Sequence, residues 1–168
     1  TGINEGDNLG LTVLVSGTFN SAQEGLMKGI PAIAVSLSRS KNMDYSMAAE
    51  FTREFIKAIR PAGFPSDAVI NINVPGIPRE ELKGIAITRL GDFQYKEVWV
   101  PRKTPWGQRY FWQTIKKPTK APEPGTDWWA VKENMISVTL VPLALDEGKC
   151  RHTYNRLKLN FCGKFLTD

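Results

Sequence analysis

The chain has 168 residues, 42% of them hydrophobic and 23% charged, with a formal net charge of +5. That make-up gives one soluble globular core with room for a small appendage. No apolar run approaches the ~20 residues that a membrane helix needs, and the Lys and Arg residues are too diffuse along the chain to imply DNA binding, although their excess suits an anionic substrate such as a nucleotide.

The chain opens on Thr1-Gly2-Ile3-Asn4-Glu5-Gly6-Asp7-Asn8-Leu9-Gly10, with Gly at 2, 6 and 10 and Asn at 4 and 8. This is neither a helical stripe nor a strand alternation, so it reads as a loop. Such a loop can form an anion nest, and an Asn carboxamide oxygen beside it is a neutral, hard ligand for Mg²⁺, Mn²⁺ or Ca²⁺. It can equally be an ordinary tight loop.

Leu11 to Val15 is a short apolar run, followed by Ser16-Gly17-Thr18 and a helix pattern from Phe19 to Lys28 with Phe19, Ala22 and Leu26 on one face. Hydroxyls and a Gly at a helix start place free N–H groups where a phosphate is welcome, though Ser16 or Thr18 can also be a plain N-cap. Pro31 to Leu37 reads as a buried strand.

Three motifs follow in order: "VININVPGIP" (Val69 to Pro78), "GIAITRLG" (Gly84 to Gly91) and "PGTDWWAV" (Pro124 to Val131). Together with "TGINEGDNLG" and "SGTFNSAQEGLMKGIPAIAVSL", they resemble the SurE family of survival proteins, which are metal-dependent nucleotide phosphatases. The resemblance runs from Thr1 to about Leu143. It implies a hydrolase of nucleoside 5′-monophosphates that needs a divalent metal ion, Mg²⁺ or Mn²⁺, and assembles as a homodimer or homotetramer in the cytoplasm. It implies Asn4 as a metal ligand; in a complete site the Ser16, Gly17 and Thr18 turn would donate to the phosphate oxygens, with Asn8 on the same phosphate and substrate side. The family's paired N-terminal aspartates have no counterpart here, since no Asp-Asp dipeptide occurs in the chain, and no catalytic residue is assigned. Thr1 is not Met and the chain opens inside a functional-looking loop, so the natural protein is expected to begin earlier.

The remaining elements are read in turn. Asp44 caps a helix to Arg60 whose apolar face is Ala48, Thr52, Phe55, Ile56 and Ile59, and Ala68 to Val74 is a strand. Asn71 and Asn73 in that strand either orient a site or satisfy neighbouring backbone. A strand ahead of the Asn4 loop would bring that loop to a ligand-binding sheet end, and none is visible. Gly84 to Leu90, Glu97 to Pro101 and Arg109 to Thr114 are strand candidates. The last two form a long hairpin around Trp106-Gly107 whose aromatic and basic residues suit contact with another subunit or stacking of nucleobases. Asp127 either caps a short helical turn or, with Thr126, faces the cleft, and Ile136 to Leu143 is the last strand.

The fold class expected is thus α/β, part of a doubly wound, Rossmann-like α/β/α sheet domain followed by an extended β-hairpin region. Residues 1–83 are the C-terminal part of the phosphatase core, 84–143 the hairpin, oligomerisation and return-strand region, and 144–168 a tail. Cys150 and Cys162 are expected to be free thiols, and His152 a surface residue. The alternative function is a non-catalytic nucleotide- or RNA-binding or oligomer-assembly module. Metal-dependent turnover favours the enzyme, whereas a steep loss of affinity with salt marks RNA binding.

Overall fold

The computed structural model describes residues 1–41, 43–92, 96–116 and 121–143. The expectations for the tail, Cys150, Cys162 and His152 lie outside the described residues.

In chain order, Asn4–Glu5 (β1) leads through a 3-10 stretch, Gly10–Val15, into the helix Gly17–Met27 (α1). Then come Ile33–Leu37 (β2), Ser46–Ile59 (α2), Ala68–Val74 (β3) and Gly84–Thr88 (β4). Lys96–Lys103 (β5) and Arg109–Lys116 (β6) form a separate ribbon, and Asp127–Lys132 (α3) and Met135–Pro142 (β7) close the described chain.

Five strands make one sheet in the order β1-β2-β3-β7-β4. β1, β2 and β3 are mutually parallel, while β7 runs antiparallel to β3 and parallel to β4. The strand that the sequence does not show is present after all: it is the loop's own beginning, β1. Asn4 pairs with Ser36 and Glu5 with Leu37, and the Val35 N–H donates to the Thr1 carbonyl at 3.0 Å. Two residues are too few to leave a strand alternation in sequence. Gly2 makes this close pairing possible, because its φ is +102° and a Cβ there would collide with the Val35 carbonyl oxygen.

One face of the sheet, bearing Val35, Leu37, Ile70, Ile72, Val74, Ile136 and Val138, packs on Ala48 of α2. Each fully buried Ile or Val there contributes about 1.5–3 kcal/mol. Met47, Phe51, Phe55 and Ile59 complete the helix side. The helix is therefore rotated from the expected face. Ile56 is an exposed position, and Thr52 returns its hydroxyl to the Ala48 carbonyl at 2.7 Å. Tyr45, not Asp44, stands at the N-cap position; Asp44, one residue earlier, accepts the Ser46 N–H at 2.9 Å. Against the opposite face lies α1, with Phe19, Ala22 and Leu26 on Ala34, Val69 and Val141.

The β5–β6 ribbon pairs antiparallel from Lys96↔Lys116 to Lys103↔Arg109, around a turn at Trp106-Gly107. Trp99, Phe111 and Ile115 share one of its faces and stay largely exposed.

Candidate functional site

The sheet face that α1 covers has two characters. Under the helix it is apolar. Towards the carboxyl ends of β2 and β3 it carries Ser36, Asn71 and Asn73, continued by Ser137 and Thr139 of β7 and Thr88 of β4. Strand alternation and register explain the row: Asn4, Ser36, Asn73 and Ser137 are successive partners across four strands, and Asn71, Thr139 and Thr88 are partners one step behind. Ser36, Asn71, Asn73, Ser137 and Thr139 are wholly buried, so each polar atom needs a partner. The Thr88 hydroxyl satisfies Ser137 at 2.8 Å and Thr139 at 2.6 Å.

The Gly-rich loop supplies the remaining partners of this row, all but one. Asn73 accepts the Asn8 N–H through Oδ1 at 2.8 Å and donates Nδ2 to the Asn8 carbonyl at 3.1 Å. Asn71 Nδ2 donates to the same carbonyl at 2.8 Å. Both strand asparagines therefore satisfy backbone, and the backbone they satisfy belongs to the loop that bears Asn4 and Asn8. That need for a donor at the Asn8 carbonyl fixes the orientation of the Asn71 carboxamide, and its Oδ1 is left buried without a protein partner.

At the end of the loop stands Asp127, buried to zero exposure. Its Oδ2 accepts the Gly10 N–H at 2.7 Å, and its Oδ1 accepts those of Gly91 at 2.9 Å and Trp128 at 2.8 Å. Burial raises its pKa above the ordinary carboxylate value, and the N–H groups of Gly10, Gly91 and Trp128 oppose that shift without reversing it. Thr126, not Asp127, is the N-cap of α3, its hydroxyl accepting the Trp129 N–H at 3.3 Å. The cleft-facing alternative for Asp127 does not hold, because the side chain is enclosed.

Of the residues expected in the site, Asn4 and Asn8 stand together. Asn4 Oδ1 accepts from Ser36 Oγ at 2.9 Å and Asn8 Nδ2 at 3.2 Å, and Asn8 Nδ2 also reaches Ser36 Oγ at 2.7 Å. Asn4 is part-buried at the carboxyl end of the parallel strands, where ligands bind in open α/β sheets. Ser16 is the N-cap of α1, its Oγ accepting the Phe19 N–H at 3.1 Å. Gly17 and Thr18 form the first turn, whose N–H groups have no intrahelical partner. Thr1 Oγ donates to the Thr18 carbonyl at 2.8 Å and so ties that turn to the strand segment bearing Asn4. Arg39, a polar-loop residue with no site role expected from sequence, pairs with Glu5 at 3.2 Å and lies beside Gly6.

A divalent cation needs more than this. Both lone-pair directions of Asn4 Oδ1 are taken by donors, and among the described residues no three His, Cys, Asp or Glu side chains gather to hold a metal ion. Hard cations draw on one or more carboxylates. The described residues do not by themselves make a metal centre.

Residues 1–97 match the family model described as survival protein SurE. The chain is 39% identical over 153 residues to the 5′-nucleotidase SurE of Thermosynechococcus vestitus, covering 87% of this chain and 56% of that protein. It is 41% identical over 145 residues to the 5′-nucleotidase SurE of Symbiobacterium thermophilum, covering 86% and 57%. The crystal structure of SurE protein from Aquifex aeolicus matches with a TM-score of 0.77 at 36% identity, over 94% of this chain and 63% of that one. The chain spans about half the length of the curated relatives it matches.

Proposed function

The chain belongs to the survival protein SurE family, and from that premise we propose that it serves the divalent-metal-dependent hydrolysis of nucleoside 5′-monophosphates to nucleoside and phosphate. The observation that carries the reading is the seating of Asn4 at the carboxyl end of β1 and β2 by Ser36 and Asn8. Asn4 would be one neutral ligand for Mg²⁺ or Mn²⁺ once a donor now on its Oδ1, Asn8 Nδ2 at 3.2 Å or Ser36 Oγ at 2.9 Å, gave way to the ion, and carboxylates from beyond this cluster would complete the set. The N–H groups of Gly17 and Thr18 receive the phosphate, Ser16 shapes that turn as its cap, and Asn8 acts through its hold on Asn4.

The hairpin supports a second element of the reading. Trp99 is 55% exposed and Phe111 64% on one face of a ribbon that the sheet does not cover. Aromatic surface of this kind suits contact between copies, as a homodimer or homotetramer. No helix among the described residues is long and apolar enough to cross a membrane; a cytoplasmic setting is part of the proposal.

The test is phosphate release from a nucleoside 5′-monophosphate with Mg²⁺, with Mn²⁺ and with chelator. Release that requires metal and disappears in Asn4→Ala supports the reading. Nucleotide binding without release under any of these conditions overturns it in favour of a non-catalytic binding module.

A further inference from the structure

We propose that Asp127 is a positioning residue for the site, setting where Asn4 and Asn8 stand by fixing the far end of their loop. The inference rests on the reading of that loop as the ligand-binding one.

The loop is held at three places. Strand pairing with β2 fixes Asn4 and Glu5, Asn71 and Asn73 fix Asn8, and Asp127 Oδ2 fixes the Gly10 N–H across 117 residues of sequence. The neighbouring Leu9 packs with Trp128, the residue after Asp127, so the apolar and polar anchors coincide. Through Oδ1 the same carboxylate also holds Gly91, just beyond β4. At Gly91 the two segments are so close that a Cβ would stand 3.1 Å from Asp127 Oδ1 and 3.1 Å from Thr126 Cβ. With both oxygens engaged by N–H groups and no exposure, Asp127 cannot meet a substrate and is not a catalytic residue. A carboxylate is what the place requires: three N–H donors converge on two oxygens, and a carboxamide has only one acceptor oxygen to offer them.

The experiment uses the ¹⁵N-labelled 168-residue chain. In Asp127→Asn, the Asn4 and Asn8 side-chain amide resonances are expected to shift and the Asn8 backbone amide to exchange about tenfold faster. Backbone amides of Ile70 and Ile72 in β3 change by less than about threefold. Ile136→Val, which removes one buried methylene from the opposite face of the sheet, must leave the Asn4 and Asn8 signals in place. If Asp127→Asn fails to fold, Gly91→Ala displaces the carboxylate without removing it and must move the same signals. Unchanged Asn4 and Asn8 signals, or acceleration of every amide together, overturn the inference.

Mn²⁺ added to the same samples separates this inference from the reading beneath it. Broadening of the Asn4 amide in the parent chain that is lost in Asp127→Asn supports both. No broadening in the parent chain overturns Asn4 as a metal ligand within this chain, while the exchange data still decide the role of Asp127.

Discussion

Asn73 treats Asn8 as a strand partner: one carboxamide accepts the Asn8 N–H at 2.8 Å and donates to the Asn8 carbonyl at 3.1 Å. The loop is thereby added to the sheet through a side chain, without a strand being present. Asn71 duplicates only half of this, giving Nδ2 to the same carbonyl while its own oxygen has no protein partner. The two asparagines are thus unequal. Asn73→Ala strands the buried Asn8 N–H and is expected to cost about 1–3 kcal/mol. Asn71→Ala leaves that carbonyl with Asn73 and is expected to cost about 1 kcal/mol or less beyond the common loss of volume. Urea unfolding of both variants checks the order; equal losses would mean that the second hydrogen bond to the carbonyl counts as much as the N–H.

Ser16 separates capping from substrate contact. Ser16→Ala is expected to lower stability by about 1 kcal/mol, because the Phe19 N–H loses its acceptor, and Ser16→Asp is expected to restore it. A carboxylate at the phosphate-facing end of α1 repels an anion, so the Asp variant keeps its melting temperature and loses nucleotide binding. Calorimetric titration with a nucleoside 5′-monophosphate reads the difference. Retained binding would move the phosphate away from this turn.

Asp127 gives the protein a specific acid dependence. Its folded pKa is raised by burial, so the native state holds the proton more tightly than the unfolded chain does. The stability linked to this group is full below the unfolded value and falls as pH rises through the higher folded one. Melting temperatures of the parent chain and Asp127→Asn, taken from about pH 3 to about pH 6, are expected to show a declining difference over that window. A difference that grows with pH would mean that the three N–H groups outweigh desolvation.

The hairpin variants test assembly without touching the sheet. Phe111→Asp places a charge on the face shared with Trp99 and Ile115, and is expected to shift sedimentation towards the monomer with little change in melting temperature. Trp112 lies on the other face, with Arg102 stacked 5.3 Å from its ring centre, and its loss costs the ribbon about 0.5–1 kcal/mol. If Trp112→Asp dissociates copies and Phe111→Asp does not, the contact uses the opposite face.

Much of the fold is legible in the sequence because its signals are local. Ser16 before Gly17-Thr18-Phe19 announces α1, the Ile-Asn alternation announces β3, and Trp106-Gly107 announces the hairpin turn. What lies beyond local reach is pairing. Nothing near Met135 says that β7 runs between β3 and β4, antiparallel to the first and parallel to the second, and two residues of β1 carry no period. The site divides the same way. Asn4 and Asn8 stand out within one Gly-rich loop, whereas Ser36 is an unremarked strand residue until register sets it opposite Asn4. The use made of Asp127 depends on Gly10 and Gly91, 117 and 36 residues away, which no spacing rule reaches.

The two characters of one sheet face separate what change can do there. Apolar contact tolerates sliding and repacking, whereas hydrogen bonds to fixed amides accept one alignment only. Ala34 and Val69 answer to the bulk of a helix; Ser36, Asn71 and Asn73 answer to the course of a loop. Drift in the helix and innovation in the loop thus fall on different residues of the same strands, and a lineage can rewrite what the loop binds while inheriting the scaffold intact.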